Sequence, residues 1–141
     1  MVFPGNFTGF PVDILFRSVF VDGDRVYIGS FEEFGYFIRK TDGQMQYYSL
    51  SAGVKDKISS NDEIWHIVRL GEKIYFQSFT GWYSYDGKAV SYMDRKSGFR
   101  PLYFYTCHDK VYAQMINGGF YEFDGQRFHL LLERTAVGND M

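Results

Sequence analysis

The chain states one pattern three times. Val26-Tyr27-Ile28, Gly35-Tyr36-Phe37 and Asp42-Gly43 form the first statement. Ile74-Tyr75-Phe76, Gly81-Trp82-Tyr83 and Asp86-Gly87 form the second, and Val111-Tyr112-Ala113, Gly119-Phe120-Tyr121 and Asp124-Gly125 the third. The tyrosines step by 48 and then 37 residues, the glycines by 46 and 38, the Asp-Gly pairs by 44 and 38. Repetition near a period of 40, built from strands and turns, marks a repeat architecture in which each unit buries its apolar surface against its neighbours. Three such units are too few to close a ring, so the chain reads as a piece of something larger.

Each unit divides into four short strands. The first unit predicts strands over 15–21, 25–30, 35–39 and 45–50; the second over 64–70, 73–79, 81–85 and 89–93; the third over 102–107, 110–115, 119–123 and 127–132. Asp-Gly between apolar runs is a hairpin signal, because both residues accept the positive φ of a tight primed turn. Aromatics make up 21% of the chain, which favours strands, where flat rings pack on a pleated surface. Residues 60–70 also admit a helix, with Asn61 as cap and Ile64, Ile67 and Val68 on one face, but the β-branched content favours a strand.

Ile74-Tyr75-Phe76 and Leu102-Tyr103-Phe104-Tyr105 are apolar on both sides of the pleat, whereas a sheet with one wet face alternates. Small sheets with two buried faces suit the blades of a β-propeller. The predicted fold class is therefore all-β: three four-stranded antiparallel blades of an incomplete β-propeller. Blade 1 covers about 12–51, a linker 52–62, blade 2 about 63–97, blade 3 about 98–134 and a tail 135–141. A sandwich or barrel is the competing architecture. Open apolar end faces mark a missing partner, either the remaining blades or self-association, with two copies completing one ring.

Composition narrows the function classes. A formal charge of −2 gives no basic face, so nucleic acid is not expected to bind this segment. Cys107 is the single cysteine, which leaves no internal disulfide and no thiolate metal cluster. His66, His108 and His129 fall on an inner strand, a turn and an outer strand, and are not expected to converge on a metal. No cofactor is expected. No stretch approaches the roughly 18 apolar residues of a membrane span, and residues 1–6 lack the basic start and apolar core of a signal peptide. A membrane connection is expected only through parts of a parent protein outside these residues.

The stretch Gly9-Phe10-Pro11, Arg17-Ser18-Val19, Asp22-Gly23, Val26-Tyr27-Ile28-Gly29-Ser30 and Gly35-Tyr36-Phe37 resembles the two-component-regulator propeller repeat. That pattern runs as an apolar strand, an Asp-Gly turn, Leu-Trp-Ile-Gly-Thr, then Gly-Leu and an aromatic. Tyr27 takes the tryptophan position and Ser30 the threonine position. Gln77-Ser78 replaces Gly-Thr in the second unit, and Val111 to Met115 departs further in the third. The resemblance implies the sensor region of a bacterial hybrid two-component or LuxR-type membrane regulator. It implies a periplasmic location, and a role in signal transduction and transcription regulation exercised through domains not among these residues.

In a propeller, the loops between second and third strands share a rim with the connections between blades. That rim would carry Phe31, Glu32, Glu33 and Phe34, then Phe79 and Thr80, then Asn117, beside 51–61 and 94–100; Trp82 lies in the next blade from Phe31. Rings for apolar sugar faces and carboxylates for hydroxyls make these eight residues the candidate binding set for a saccharide or peptide. The competing reading is that Phe31, Phe34 and Trp82 pack between blades while the glutamates form a solvated tip. Paired-carboxylate glycoside chemistry needs both groups flanking one bond, and neighbours on a strand point to opposite faces. No catalytic residue is assigned. The expected function is a non-enzymatic ligand-sensing module; the alternatives are a fragment of a carbohydrate-active propeller enzyme and a purely structural scaffold.

Overall fold

The computed structural model describes residues 7–8, 15–94, 101–116, 118–124 and 127–132. The tail 135–141, the 95–100 connection, Asn117 and Gly125 lie outside them. Among the described residues, thirteen strands form three sheets. In sheet 1, β2 (Ser18–Asp22), β3 (Arg25–Ser30), β4 (Glu33–Arg39) and β5 (Met45–Ser49) form an antiparallel meander. Sheet 2 repeats it with β6 (Ile64–Leu70), β7 (Lys73–Ser78), β8 (Gly81–Tyr85) and β9 (Val90–Asp94). Sheet 3 repeats it again with β10 (Pro101–Cys107), β11 (Lys110–Met115), β12 (Phe120–Phe123) and β13 (Phe128–Leu132). Among the described residues none of the sheets closes on itself, which goes against the barrel alternative, and 64–70 is a strand and not a helix.

Two features depart from the sequence reading. Sheet 1 carries a fifth strand, β1 (Phe7–Thr8), paired parallel to the outer edge of β5 through Phe7↔Met45 and Thr8↔Gln46. The linker is also not featureless, because Ser51–Lys57 forms a 3₁₀ segment, interrupted at Val54.

The turns divide by mechanism. The hairpins joining first and second strands have two-residue loops: Gly23-Asp24, Gly71-Glu72 and His108-Asp109. Gly23 and Gly71 take φ of +61° and +60°, as the first position of a II′ turn requires, while His108 and Asp109 both have positive φ, as in type I′. The three Asp-Gly sites join third to fourth strands instead. There the aspartate works through its side chain: Asp42 Oδ1 accepts from Gln44 N–H, Asp86 Oδ1 from Lys88 and Ala89 N–H, and Asp124 Oδ1 from Arg127 N–H. At Asp42-Gly43 and Asp86-Gly87 positive φ falls on the glycine and not on the aspartate, so the primed-turn rationale fails at these two sites although the turns form.

Sheet 2 is buried on both faces. One face, with Ile67, Ile74, Phe76, Tyr83 and Tyr85, packs on Tyr27 and Phe34 of sheet 1. The other, with Val68, Tyr75 and Trp82, packs on Phe104, Val111, Ala113 and Phe123 of sheet 3. This is why every residue of β8 is buried and why its sequence does not alternate. Rings interlock across both seams: Phe34 lies 4.6 Å from Phe76 and 4.9 Å from Tyr83, and Trp82 lies 3.9 Å from Phe104. Each such side chain contributes about 1.5–3 kcal/mol by leaving water. Polar staples add direction, with Ser18 Oγ donating to Ile64 O at 2.8 Å and Gln77 Nε2 to Leu102 O at 2.8 Å. Each ties one sheet to the opening strand of the next.

Candidate ligand-binding rim

Three segments meet at one end of the stack: the β3–β4 turn at Phe31-Glu32, the connection from β5 to β6, and the β7–β8 loop at Phe79-Thr80. Asp62 joins them. Its side chain is almost fully buried, and Oδ1 accepts from the Phe79 and Glu63 N–H groups at 3.1 and 3.0 Å while Oδ2 accepts from Thr80 Oγ1 at 2.6 Å. Its backbone carbonyl accepts from Glu32 N–H at 2.8 Å, and Phe31 bridges to Glu63. A buried carboxylate given three donors is a fixed point, and the loops around it inherit that rigidity.

The two glutamates are engaged by the chain itself. Glu32 stands at φ +56°, its carboxylate accepting from Asn61 N–H at 3.1 Å and its carbonyl from Lys55 Nζ at 2.8 Å. Glu33 turns the other way: Oε2 accepts from Tyr47 Oη at 2.5 Å and Ser49 Oγ at 2.8 Å, and Oε1 lies 3.4 Å from Lys55 Nζ. Burial, with the Glu33 charge beside it, pushes the Tyr47 phenol well above its ordinary value, so it stays a donor. The hydroxyls that sequence reasoning assigned to a sugar are here supplied by Tyr47 and Ser49.

The predicted aromatic set divides in two. Phe31 is 44% exposed and Phe79 56% exposed at the rim. Phe34 and Trp82 are 0% exposed, each sealed in a seam between sheets, so both are corrected from ligand contacts to core. Register explains it: Phe34 pairs with Gly29 and Trp82 with Gln77, which sets both on the same side as Tyr27 and Tyr75, facing the following sheet. Thr80 serves Asp62, and Asn117 lies outside the described residues.

Sequence reasoning missed the platform beside Phe79. Trp65 stacks on Phe79 at 5.9 Å and lies 5.5 Å from Tyr103, whose ring stacks on His66 at 4.3 Å and 19°. Trp65 reaches this place because the β6–β7 register shifts between Ile64 and His66, inserting it at a bulge. Its indole Nε1 is buried without a hydrogen-bond partner among the described residues. Burial lowers the His66 pKa below its ordinary value, with a Gln77 hydrogen bond opposing, so the imidazole in the stack is neutral at neutral pH. The only signal in sequence was the failure of Ile64-Trp65-His66-Ile67 to alternate. On the other side, the Arg17 guanidinium sits 4.6 Å over the Phe31 ring, 3.5 Å from Glu63.

The rim is thus a rigid ledge with exposed rings at Phe31 and Phe79 and the Trp65–Tyr103 stack behind it. Such a ledge offers flat apolar surface to solvent, with backbone groups and Arg17 at its margin. The other end of the stack holds a cavity of about 590 Å³, to which β2 contributes Phe20, β6 Arg69, and β10 Thr106 and Cys107. No group of three His, Cys, Asp or Glu suited to a metal ion occurs among the described residues. His66, His108 and His129 lie on β6, in the β10–β11 turn and on β13. No family model, curated protein or solved structure matches the chain.

Proposed function

We propose that this chain is a non-enzymatic ligand-sensing module: three blades of an incomplete β-propeller, from the periplasmic part of a bacterial signalling receptor, that take a saccharide or peptide on the Phe31–Phe79 rim. The observation that carries the binding reading is the junction at Asp62, which holds three loops and two exposed rings on one stiff ledge. Rigid scaffolds that present rings at loop tips are where recognition usually resides. The propeller arrangement draws support from consecutive packing of the sheets and from the first strand of each sheet lining one cavity. The receptor context rests on the likeness of the first repeat to the two-component-regulator repeat. The non-catalytic reading draws on the engagement of both glutamates.

Glycan-array and thermal-shift screening of the chain tests this. A saccharide or peptide should raise the melting temperature of the wild type and of Glu33→Gln but not of Phe79→Ala or Trp65→Ala. Hydrolytic turnover of a polysaccharide that Glu33→Gln abolishes would instead make the chain part of a carbohydrate-active enzyme. Silence across both screens, with the rim variants folded, would leave a scaffold.

A further inference from the structure

Equivalent positions in the three sheets have unequal fates. Tyr27, Tyr75 and Tyr112 hold the same place in the second strand of each sheet, facing Phe20, Val68 and Tyr105 of the first. Two residues on, Gly29 pairs with Phe34, Gln77 with Trp82 and Gln114 with Phe120. In sheets 1 and 2 these rings are closed off by the sheet that follows: Tyr27 is 3% exposed and Tyr75 2%, while Phe34 and Trp82 are fully buried. In sheet 3 the same face is open. Tyr105 is exposed, Tyr112 and Phe120 are half-buried, and the last two stack on each other at 5.7 Å.

The polar staple shows the same interruption. Gln77 is fully buried and donates to the Leu102 carbonyl in the opening strand of sheet 3. Its counterpart Gln114 is exposed; its Oε1 accepts from Tyr105 Oη at 3.2 Å, and its amide nitrogen has no partner among the described residues. Cys107 is the counterpart of Leu70, which packs on the core shared with sheet 3, and it too is exposed.

We infer that this face of sheet 3 is a docking surface for a fourth four-stranded sheet of the same kind. The occupant presents an aliphatic and aromatic face like that of Ile74, Phe76, Tyr83 and Tyr85, and offers Gln114 a carbonyl from its opening strand. A second copy of this chain is the weaker fit. On the matching face of its sheet 1, Ile28, Phe37 and Tyr47 are already 0%, 1% and 4% exposed within the chain, which leaves Val19 and Val21 of the opening strand as its open part. This rests on the sheet repeat and stands whether or not the rim binds a ligand.

The test compares the 141-residue chain with the same chain carrying its own residues 62–94 appended after Met141. Cys107, the only thiol, reports on the face through its rate of reaction with N-ethylmaleimide. In the unextended chain the thiol should react freely at every protein concentration, and sedimentation should find a monomer. Appending the extra sheet should slow the reaction roughly tenfold or more, as local opening comes to limit access, and raise the melting temperature. Gln114→Ala with Tyr112→Lys should restore fast labelling in the extended chain while leaving the unextended chain folded. An unchanged thiol rate in the extended chain overturns the inference. So does a concentration-dependent dimer of the unextended chain with a protected thiol, which would make a second copy the occupant.

Discussion

Thr80 donates its hydroxyl to Asp62 Oδ2 at 2.6 Å, and through that bond the β7–β8 loop of one sheet is fastened to the connection arriving from the other. Asp62 also takes the Phe79 and Glu63 N–H groups, so the carboxylate replaces water for three donors in a site only 5% exposed. Removing it strands those donors.

Asp62→Ala should therefore cost about 2–3 kcal/mol, the sum of lost charge-assisted bonds and partly unsatisfied donors. Thr80→Val, which removes one bond and keeps the shape, should cost about 1 kcal/mol. Urea unfolding checks both, with the midpoint falling and the slope unchanged. Equal effects from the two substitutions would mean that Asp62 does not organise the junction.

Core and rim aromatics should separate cleanly. Phe34→Ala and Trp82→Ala each empty a seam between sheets and should cost about 3–5 kcal/mol. Phe31→Ala and Phe79→Ala act on exposed rings and should stay within about 1 kcal/mol of wild type. Calorimetry of the four variants decides it; a Phe79→Ala loss as large as that of Phe34→Ala would move Phe79 into the core.

Much of the strand plan was legible, because tyrosine, glycine and Asp-Gly recur at matched offsets. The strands 25–30, 64–70, 81–85 and 110–115 were read at their observed ends. What composition hides is facing. Phe34 and Phe79 both sit beside a β-turn, yet one pairs with Gly29 and points into a seam while the other lies past the strand end. Trp65 was invisible because a one-residue register shift moves a side chain to the other side of the sheet. Asp62 was missed because nothing periodic surrounds it; its role comes from loops 17 and 18 residues away in sequence. The parallel pairing of β1 likewise links two-residue segments far apart in the chain, and no local pattern encodes it.

Gly29 marks a close approach between sheets 1 and 2. A Cβ there would run into Ser18 Oγ and come within 2.6 Å of Ile64 Cγ2, on the seam that the Ser18–Ile64 bond closes. Gly29→Ala should cost about 1–3 kcal/mol as an overpacked contact. Gly53 has open space around it and no positive φ, so Gly53→Ala should be neutral or gain roughly 0.5 kcal/mol through the unfolded chain. Thermal melting of the pair provides its own control, and a harmless Gly29→Ala would mean that the seam is looser than described.

Stability should fall on both sides of neutrality for separate reasons. On the acid side, burial lowers the His66 pKa from its ordinary 6.5, so the unfolded chain takes up that proton first. Its contribution is whole above about pH 6.5 and drains away as pH falls below that value. His66→Phe, which keeps a ring against Tyr103, should flatten the decline below about pH 6.5 without touching the alkaline limb. On the alkaline side, burial raises the phenols of Tyr47, Tyr75 and Tyr83 above their ordinary 10.0. The unfolded chain then loses those protons first, and stability drops as pH climbs past 10. Tyr47→Phe removes one of these shifts but also takes from Glu33 one of its two hydroxyl donors, so it should lower stability at pH 7 while making the loss above pH 10 shallower. Denaturant midpoints across pH 4 to 11 would follow both limbs, and a His66→Phe profile parallel to wild type below pH 6.5 would remove the histidine from the account.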